Sequence, residues 1–290
     1  MPLVVIICDG GGTFGFGNLR RSATLGAELK RRGYGVCVKA VSERARSLLP
    51  ESPADQGEAD LWLLDIPYNG DAWVAEGRRH NRPVVALDYE GNADPDLVIS
   101  IFPRGTWHSD GASSRRHLVG LDYAIVEAAI VALSPAPPGQ GVLVLIGGGD
   151  NQGLGECAAL ELNKRGCAVT LIEGPLAATT MPRLPPEIVR LSSPPDLARR
   201  MASCAWSVTG AGGAMLEMLC LGKPAHVLPR NPHEEALAQL VFQSGGVLGI
   251  SLETLGLPDA AARKAVSAQA RALVDGKGVG RIVDAVADLL

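Results

Sequence analysis

The sequence predicts an α/β protein built as two doubly wound, Rossmann-like domains. Short apolar runs alternate with longer amphipathic stretches along the whole chain, the pattern of βαβ units around a buried parallel sheet. The pattern also restarts in mid-chain: an apolar run entering a glycine turn occurs at LVVIICDGGG and again at GVLVLIGGG. A length of 290 residues exceeds one typical domain and suits two. The composition of 47% hydrophobic, 4% aromatic and 20% charged residues fits strands rich in Val and Leu that are buried on both faces.

In order, LVVIIC (3 to 8) reads as the first buried strand and LRRSATLGAELKRRG (19 to 33) as its helix, closed by Gly33. Strands follow at GVCVKA, DLWLLDI, PVVALD and DLVISI, and GLDYAIVEAAIVAL (120 to 133) reads as a helix. SPAPPGQG (134 to 141) is dense in Pro and Gly and marks the expected boundary, giving domains 1–135 and 136–290. The second half then reads as strand and glycine turn (GVLVLIGGGDNQG), helix (GECAALELNKRG), strands CAVTLIEG and EIVRLS, and helix PDLARRMASC. Strand AWSVTG, a second glycine turn GAGG (210 to 213), helix AMLEMLCLG and strand KPAHVLP complete it. In such sheets ligands sit at the carboxyl ends of the strands, so the working site is expected in the cleft between the domains.

The formal net charge of −4 argues against a nucleic-acid partner, whose binding needs a basic face. The six cysteines are scattered without CxxC spacing and read as reduced, buried thiols. No run approaches a membrane span or a signal core, and the protein is expected in the cytoplasm.

The first glycine turn, with Gly10, Gly11, Gly12, Gly15 and Gly17, lets backbone amides approach a phosphate at a helix start; a tight turn without ligand explains it equally well. The second, GAGG, opens a helix at Ala214 with Glu217 one turn in, placed to accept from a ribose diol or simply to balance the helix dipole. No nucleophile elbow and no cluster of metal-ligand spacing appears, so neither cofactor nor metal is expected. His80, His108, His117 and His226 carry little signal beside His233 at a helix start.

Glu217, Gly222, Pro224 and NPHEEALAQLVFQSG (231 to 245) together resemble the donor-binding half of the GT-B nucleotide-sugar enzymes, in particular the UDP-sugar hydrolase of pseudaminic acid biosynthesis and its spore-coat polysaccharide relatives. The first half keeps the same register. The family's GxGHxxR falls on Gly15, Gly17, Asn18 and Arg21, with Phe16 between the glycines. Its strand ending in Asp with a nearby Tyr resembles Asp65 and Tyr68, its acidic strand end resembles Asp88, and its boundary motif resembles GLDYAIV (120 to 126). Its GGxD turn falls on Gly147, Gly148 and Asp150, with Gly149 inside it.

The resemblance implies a GT-B fold, a last helix near 280 to 290 that crosses back to the first domain, and a metal-independent hydrolase. That enzyme would release a free modified sugar from a UDP-sugar for surface glycan or nonulosonic acid biosynthesis. By the same resemblance, Gly148, Gly149, Asp150, Gly212, Gly213, Ala214, Glu217 and Glu234 bind the nucleotide, while Gly15, Phe16, Gly17, Arg21, Asp65 and Asp88 bind sugar and phosphate. Asn18 stands where relatives use a water-activating His, and an amide takes no proton at neutral pH. His233 and Glu234 stand where relatives have Asn-Gln, so the base is expected to have moved to His233, oriented by Glu234, with Asn18 and Tyr68 completing the catalytic set. Tyr68 lies one residue further from Asp65 than in the family, and Ala214 replaces a hydroxyl. A GT-B glycosyltransferase and a non-catalytic nucleotide-sugar-binding protein are the rival readings.

Overall fold

The structure, a computed structural model, describes residues 1–11, 15–49, 59–102, 116–148, 150, 152–174 and 184–290. The chain forms two compact units: one of Met1–Ile125 with Lys277–Leu290, the other of Val126–Gly276.

Unit 1 comprises β1 (Leu3–Cys8), α1 (Gly17–Arg31), β2 (Gly35–Ala40), α2 (Glu43–Leu48), β3 (Leu61–Asp65), α3 (Asp71–Arg79), β4 (Val84–Leu87), β5 (Leu97–Ser100) and β6 (Arg116–Val119). The strands form one parallel sheet in the order β2-β1-β3-β4-β5-β6. Strand β1 is buried because it packs on both faces: Val4 and Ile6 join one apolar cluster and Val5 and Ile7 the other. Helix α1 buries Leu19, Ser22, Leu25, Gly26 and Leu29, a stripe at the helical repeat, and closes with Lys30 and Arg31 against its negative dipole end.

Unit 2 comprises α4 (Ala128–Val131), β7 (Val142–Leu145), α5 (Leu154–Lys164), β8 (Val169–Glu173), β9 (Val189–Ser192), α6 (Leu197–Ser203), β10 (Trp206–Thr209), α7 (Gly213–Leu221), β11 (Ala225–Val227), α8 (Pro232–Gln243), β12 (Gly249–Ile250) and α9 (Ala260–Leu273). Its parallel sheet runs β12-β11-β10-β7-β8-β9. Helix α7 is apolar on every side but for Glu217, and all of Ala214–Leu221 is buried, as a central helix requires. The chain then returns to unit 1 through α10 (Gly278–Ala287). Ile282, Val283, Ala285 and Val286 complete the cluster of Val4, Ile6, Leu25 and Leu29. Full burial of each Ile or Val among them contributes about 1.5–3 kcal/mol.

The break between the units falls ten residues before the expected one. The stretch 120–133 is not one helix: Gly120 has φ +138°, a tight turn covers Leu121–Tyr123, and Ala124 and Glu127 are extended before the short α4. The Pro-rich stretch is no linker, because unit 2 holds it closely. Ser134 donates to the Cys220 carbonyl at 2.5 Å, Ala136 N to Leu221 O at 3.0 Å, and the buried Lys223 ammonium to the Pro137 and Cys204 carbonyls at 2.6 and 2.9 Å. The expected strand ends were otherwise close, while β6, α2 and α3 carry no strong sequence signal. Cys157 is exposed and Cys37 and Cys167 are half-buried, so burial holds only for Cys8, Cys204 and Cys220.

Candidate functional site

Topology points to one place in each unit. Strand order reverses between β1 and β3 in unit 1 and between β7 and β10 in unit 2, and a crevice opens beyond the carboxyl ends of the strands at such a reversal.

In unit 1 three carboxylates stand there. Asp9 follows β1, Asp65 ends β3 and Asp88 follows β4, all buried. Arg21, from the second turn of α1, spans two of them. Its Nε donates to Asp65 Oδ1 and Oδ2 at 2.8 and 2.9 Å, its Nη2 to Asp65 Oδ1 at 2.5 Å, and its Nη1 to Asp88 Oδ2 at 2.5 Å. Asn18 Nδ2 (2.8 Å) and Ser22 Oγ (2.9 Å) donate to the same Asp65 carboxylate. Burial works against the Arg21 charge, but Asp65 and Asp88 outweigh it and raise its pKa further. Arg21, expected to hold sugar and phosphate, spans the Asp65 and Asp88 carboxylates.

Asp9 accepts from Ser42 Oγ (2.6 Å), Gly10 N (2.9 Å) and the Tyr68 hydroxyl (2.9 Å). Burial opposes its ionisation, yet these hydrogen bonds prevail and hold its carboxyl below the ordinary value. The Tyr68 phenol shifts upward, through burial and then through Asp9, so it stays protonated as a donor. Beyond Asp88, burial lowers His117, against a smaller opposing effect of Asp88, and its Nε2 lies 3.3 Å from Ser100 Oγ. The glycine turn closes through Gly11 N to Gly15 O at 2.6 Å, and Gly15, at φ +73°, requires a residue without Cβ. Among the described residues a Cβ at Gly15 or Gly17 would meet nothing within 4 Å. Phe16 turns the other way and packs against Cys8, Leu19 and Ala45.

In unit 2 the turn between β10 and α7 is the open one. Gly212 is half-buried and Gly213 exposed, and among the described residues a Cβ at either would meet nothing within 4 Å. Ala214 and Glu217 follow, both buried. The turn after β7 behaves differently. Asp150, expected to bind the nucleotide, lies in the turn ahead of α5 and accepts from Gly155 N at 2.6 Å and Gln152 N at 3.2 Å. Gly148 stands beside it, and Gly149 lies outside the described residues, as does His108. Glu156, in the first turn of α5, is buried, and among the described residues its Oε1 finds no hydrogen-bond partner. Burial pushes its pKa up, Arg190 opposes, and Asp150 and Glu173 add to the rise.

At the start of α8, Asn231 Oδ1 accepts from His233 N (3.1 Å) and Glu234 N (2.9 Å). The Glu234 carboxylate, expected to orient His233, is held by Arg230. Arg230 N donates to Glu234 Oε2 at 3.0 Å, Nε to Oε1 at 3.1 Å and Nη2 to Oε1 at 2.5 Å. Residues overlooked in the sequence are thus Asp9, Ser22, Ser42, Glu156 and Arg230. For Asp9 a signal existed, an acid directly after a buried strand; for Arg230, only its place ahead of a helix cap. Among the described residues no group of His, Cys, Asp and Glu is arranged to hold a metal, and no helix is long and apolar enough to cross a membrane.

No protein-family model and no curated protein matches the chain. Solved structures do. MurG of Acinetobacter baumannii superposes with a TM-score of 0.66 at 13% identity, over 99% of this chain and 100% of that one. UGT2 of Phytolacca americana, complexed with UDP-2-fluoro-glucose and pterostilbene, gives 0.67 at 13% identity over 99% of both chains. The kitacinnamycin glycotransferase gives 0.66 at 15% identity over 100% of both. The chain therefore has the GT-B fold of two Rossmann-like domains.

Proposed function

We propose that the chain is a cytoplasmic enzyme that binds a nucleotide sugar, in the first instance a UDP-sugar, on unit 2 and transfers its sugar to an acceptor. The observation that carries this reading is the open start of α7, where Gly212 and Gly213 leave amides and the positive helix end for a diphosphate, with Glu217 one turn in for a ribose. The similarity of fold to glycosyltransferases along the whole chain supports transfer over hydrolysis. In unit 1, Asp9, Asp65 and Asp88 suit the hydroxyls of a sugar or acceptor and repel phosphate.

Asn18 gives its amide to Asp65 and accepts no proton, so the proton released on attack goes elsewhere; our assignment is His233. Hydrolysis is the second reading, favoured by the register of Gly15, Gly17, Asn18 and Arg21 with the UDP-sugar hydrolases. The deciding experiment follows UDP release from UDP-sugars with and without acceptor alcohols. Release only with acceptor establishes transfer, release without it establishes hydrolysis, and binding without turnover leaves a binding protein. His233→Ala is expected to lower turnover by about 10²-fold at unchanged nucleotide affinity; normal turnover would remove His233 from the chemistry.

A further inference from the structure

We propose that the Asn18 carbonyl oxygen accepts a hydrogen bond from a second hydroxyl of the acceptor, beside the one that attacks, so that the acceptor is a polyol; the inference rests on the transfer reading of the chain. Asn18 stands in the first turn of α1, half-buried between the exposed Gly17 and the buried Leu19. Its Nδ2 donates to Asp65 Oδ1 at 2.8 Å. Asp65, paired with the Arg21 guanidinium, is an acceptor only, so the Asn18 atom that faces it is the amide nitrogen. The carbonyl oxygen is turned the other way. Among the described residues Asn18 Oδ1 has no hydrogen-bond partner.

The surrounding network favours a donor on the ligand. Arg21, Ser22 Oγ and Asn18 Nδ2 donate into Asp65, while Ser42 Oγ and the Tyr68 hydroxyl donate into Asp9. These donors are turned onto carboxylates, and the group that Asn18 turns away from them is an acceptor, whose partner is an O–H. An amide whose nitrogen is given to a carboxylate is polarised and accepts more strongly at oxygen. It still takes no proton, so the hydroxyl it holds keeps its hydrogen through the reaction. In transfer, the attacking oxygen bonds to the anomeric carbon, the bond from that carbon to the diphosphate oxygen breaks with its electron pair leaving on UDP, and the attacker's proton passes to the base, assigned to His233. The hydroxyl on Asn18 is therefore a different one. An alcohol with a single hydroxyl cannot serve both groups.

The test measures UDP release from UDP-glucose, UDP-galactose and UDP-N-acetylglucosamine with cyclohexanol, with 1,2-cyclohexanediol and with 1,3-cyclohexanediol as acceptors. The wild-type chain is expected to use at least one diol about 10-fold better in kcat/KM than cyclohexanol, the factor that one hydrogen bond supplies. Asn18→Ala, and Asn18→Leu, which keeps most of the shape, are expected to bring that ratio to about 1. Ser22→Ala takes a different donor from Asp65 and spares the carbonyl, so it is expected to keep the preference. Thermal melts report that each variant is folded. Equal use of diols and cyclohexanol by the wild-type chain, a ratio unchanged in folded Asn18→Ala and Asn18→Leu, or a ratio lost as fully in Ser22→Ala, overturns the inference alone. UDP release that no alcohol accelerates ends the transfer reading and this inference with it.

Discussion

The carboxyl edges of the two sheets solve the same architectural situation in opposite ways. In unit 1 the reversal point is filled by side chains that satisfy one another: Arg21, Asn18 and Ser22 converge on Asp65, and Ser42 and Tyr68 on Asp9. In unit 2 the start of α7 carries Gly212 and Gly213, where a Cβ would meet nothing within 4 Å among the described residues, and Arg230 is held by Glu234 at the start of α8. A preformed acidic network of this kind is rigid and suits neutral, hydroxyl-bearing groups. An open helix start suits an anion. The fold supplies two equivalent crevices; the residues after β1, β3, β10 and β11 decide what each can hold.

The comparison breaks most severely at Asp65. Asp65→Ala leaves Arg21, Asn18 and Ser22 without their shared acceptor, and removing one partner of a buried ion cluster costs about 3–5 kcal/mol. Denaturant unfolding is expected to show that loss in unit 1; a loss below about 1 kcal/mol would mean the network is dispensable. In unit 2, Glu217→Ala is expected to leave folding intact and to weaken nucleotide binding by about 1.5–3 kcal/mol in calorimetry. Unchanged affinity would reduce Glu217 to a partner of the helix dipole.

The smallest effect sharpens the contrast within unit 2. The raised pKa of Glu156 means that its neutral form is the one the fold favours. A folded-state pKa above the unfolded value contributes stability at low pH that is lost as pH rises through the folded pKa. Glu156→Gln is therefore expected to raise the melting temperature slightly at pH 7 and to leave it unchanged near pH 4. An equal shift at both pH values would show that charge is not the cause.

Much of this architecture is legible in the residues. Buried parallel strands are continuous apolar runs, so LVVIIC and PVVALD announce themselves, and glycine turns mark where the sheet edges lie. The exposed edge strand β6, RHLV, has no such run and escapes notice. The stretch 120–133 carries helix-forming residues, but the chain there leaves one unit for the other, and that requirement overrides local propensity. The site divides the same way. Asn18 and Arg21, which share one motif, and Asp65 and Asp88, which end separate strands, come together in one network. Their roles were not legible, because which carboxylate holds a given arginine is set by strands distant in sequence. Glu234 shows this best: its neighbour in sequence is His233, while its partner, one turn back, is Arg230.

The return of α10 to unit 1 gives the molecule a definite order of assembly during synthesis. On a chain emerging from the ribosome, the residues of unit 2, which end at Gly276, are all available before Ile282, Val283 and Val286 arrive to seal the sheet of unit 1. The half made first is thus the half finished last, and until then the apolar face around Val4, Ile6 and Leu29 stands open to any chaperone or stray strand that can cover it.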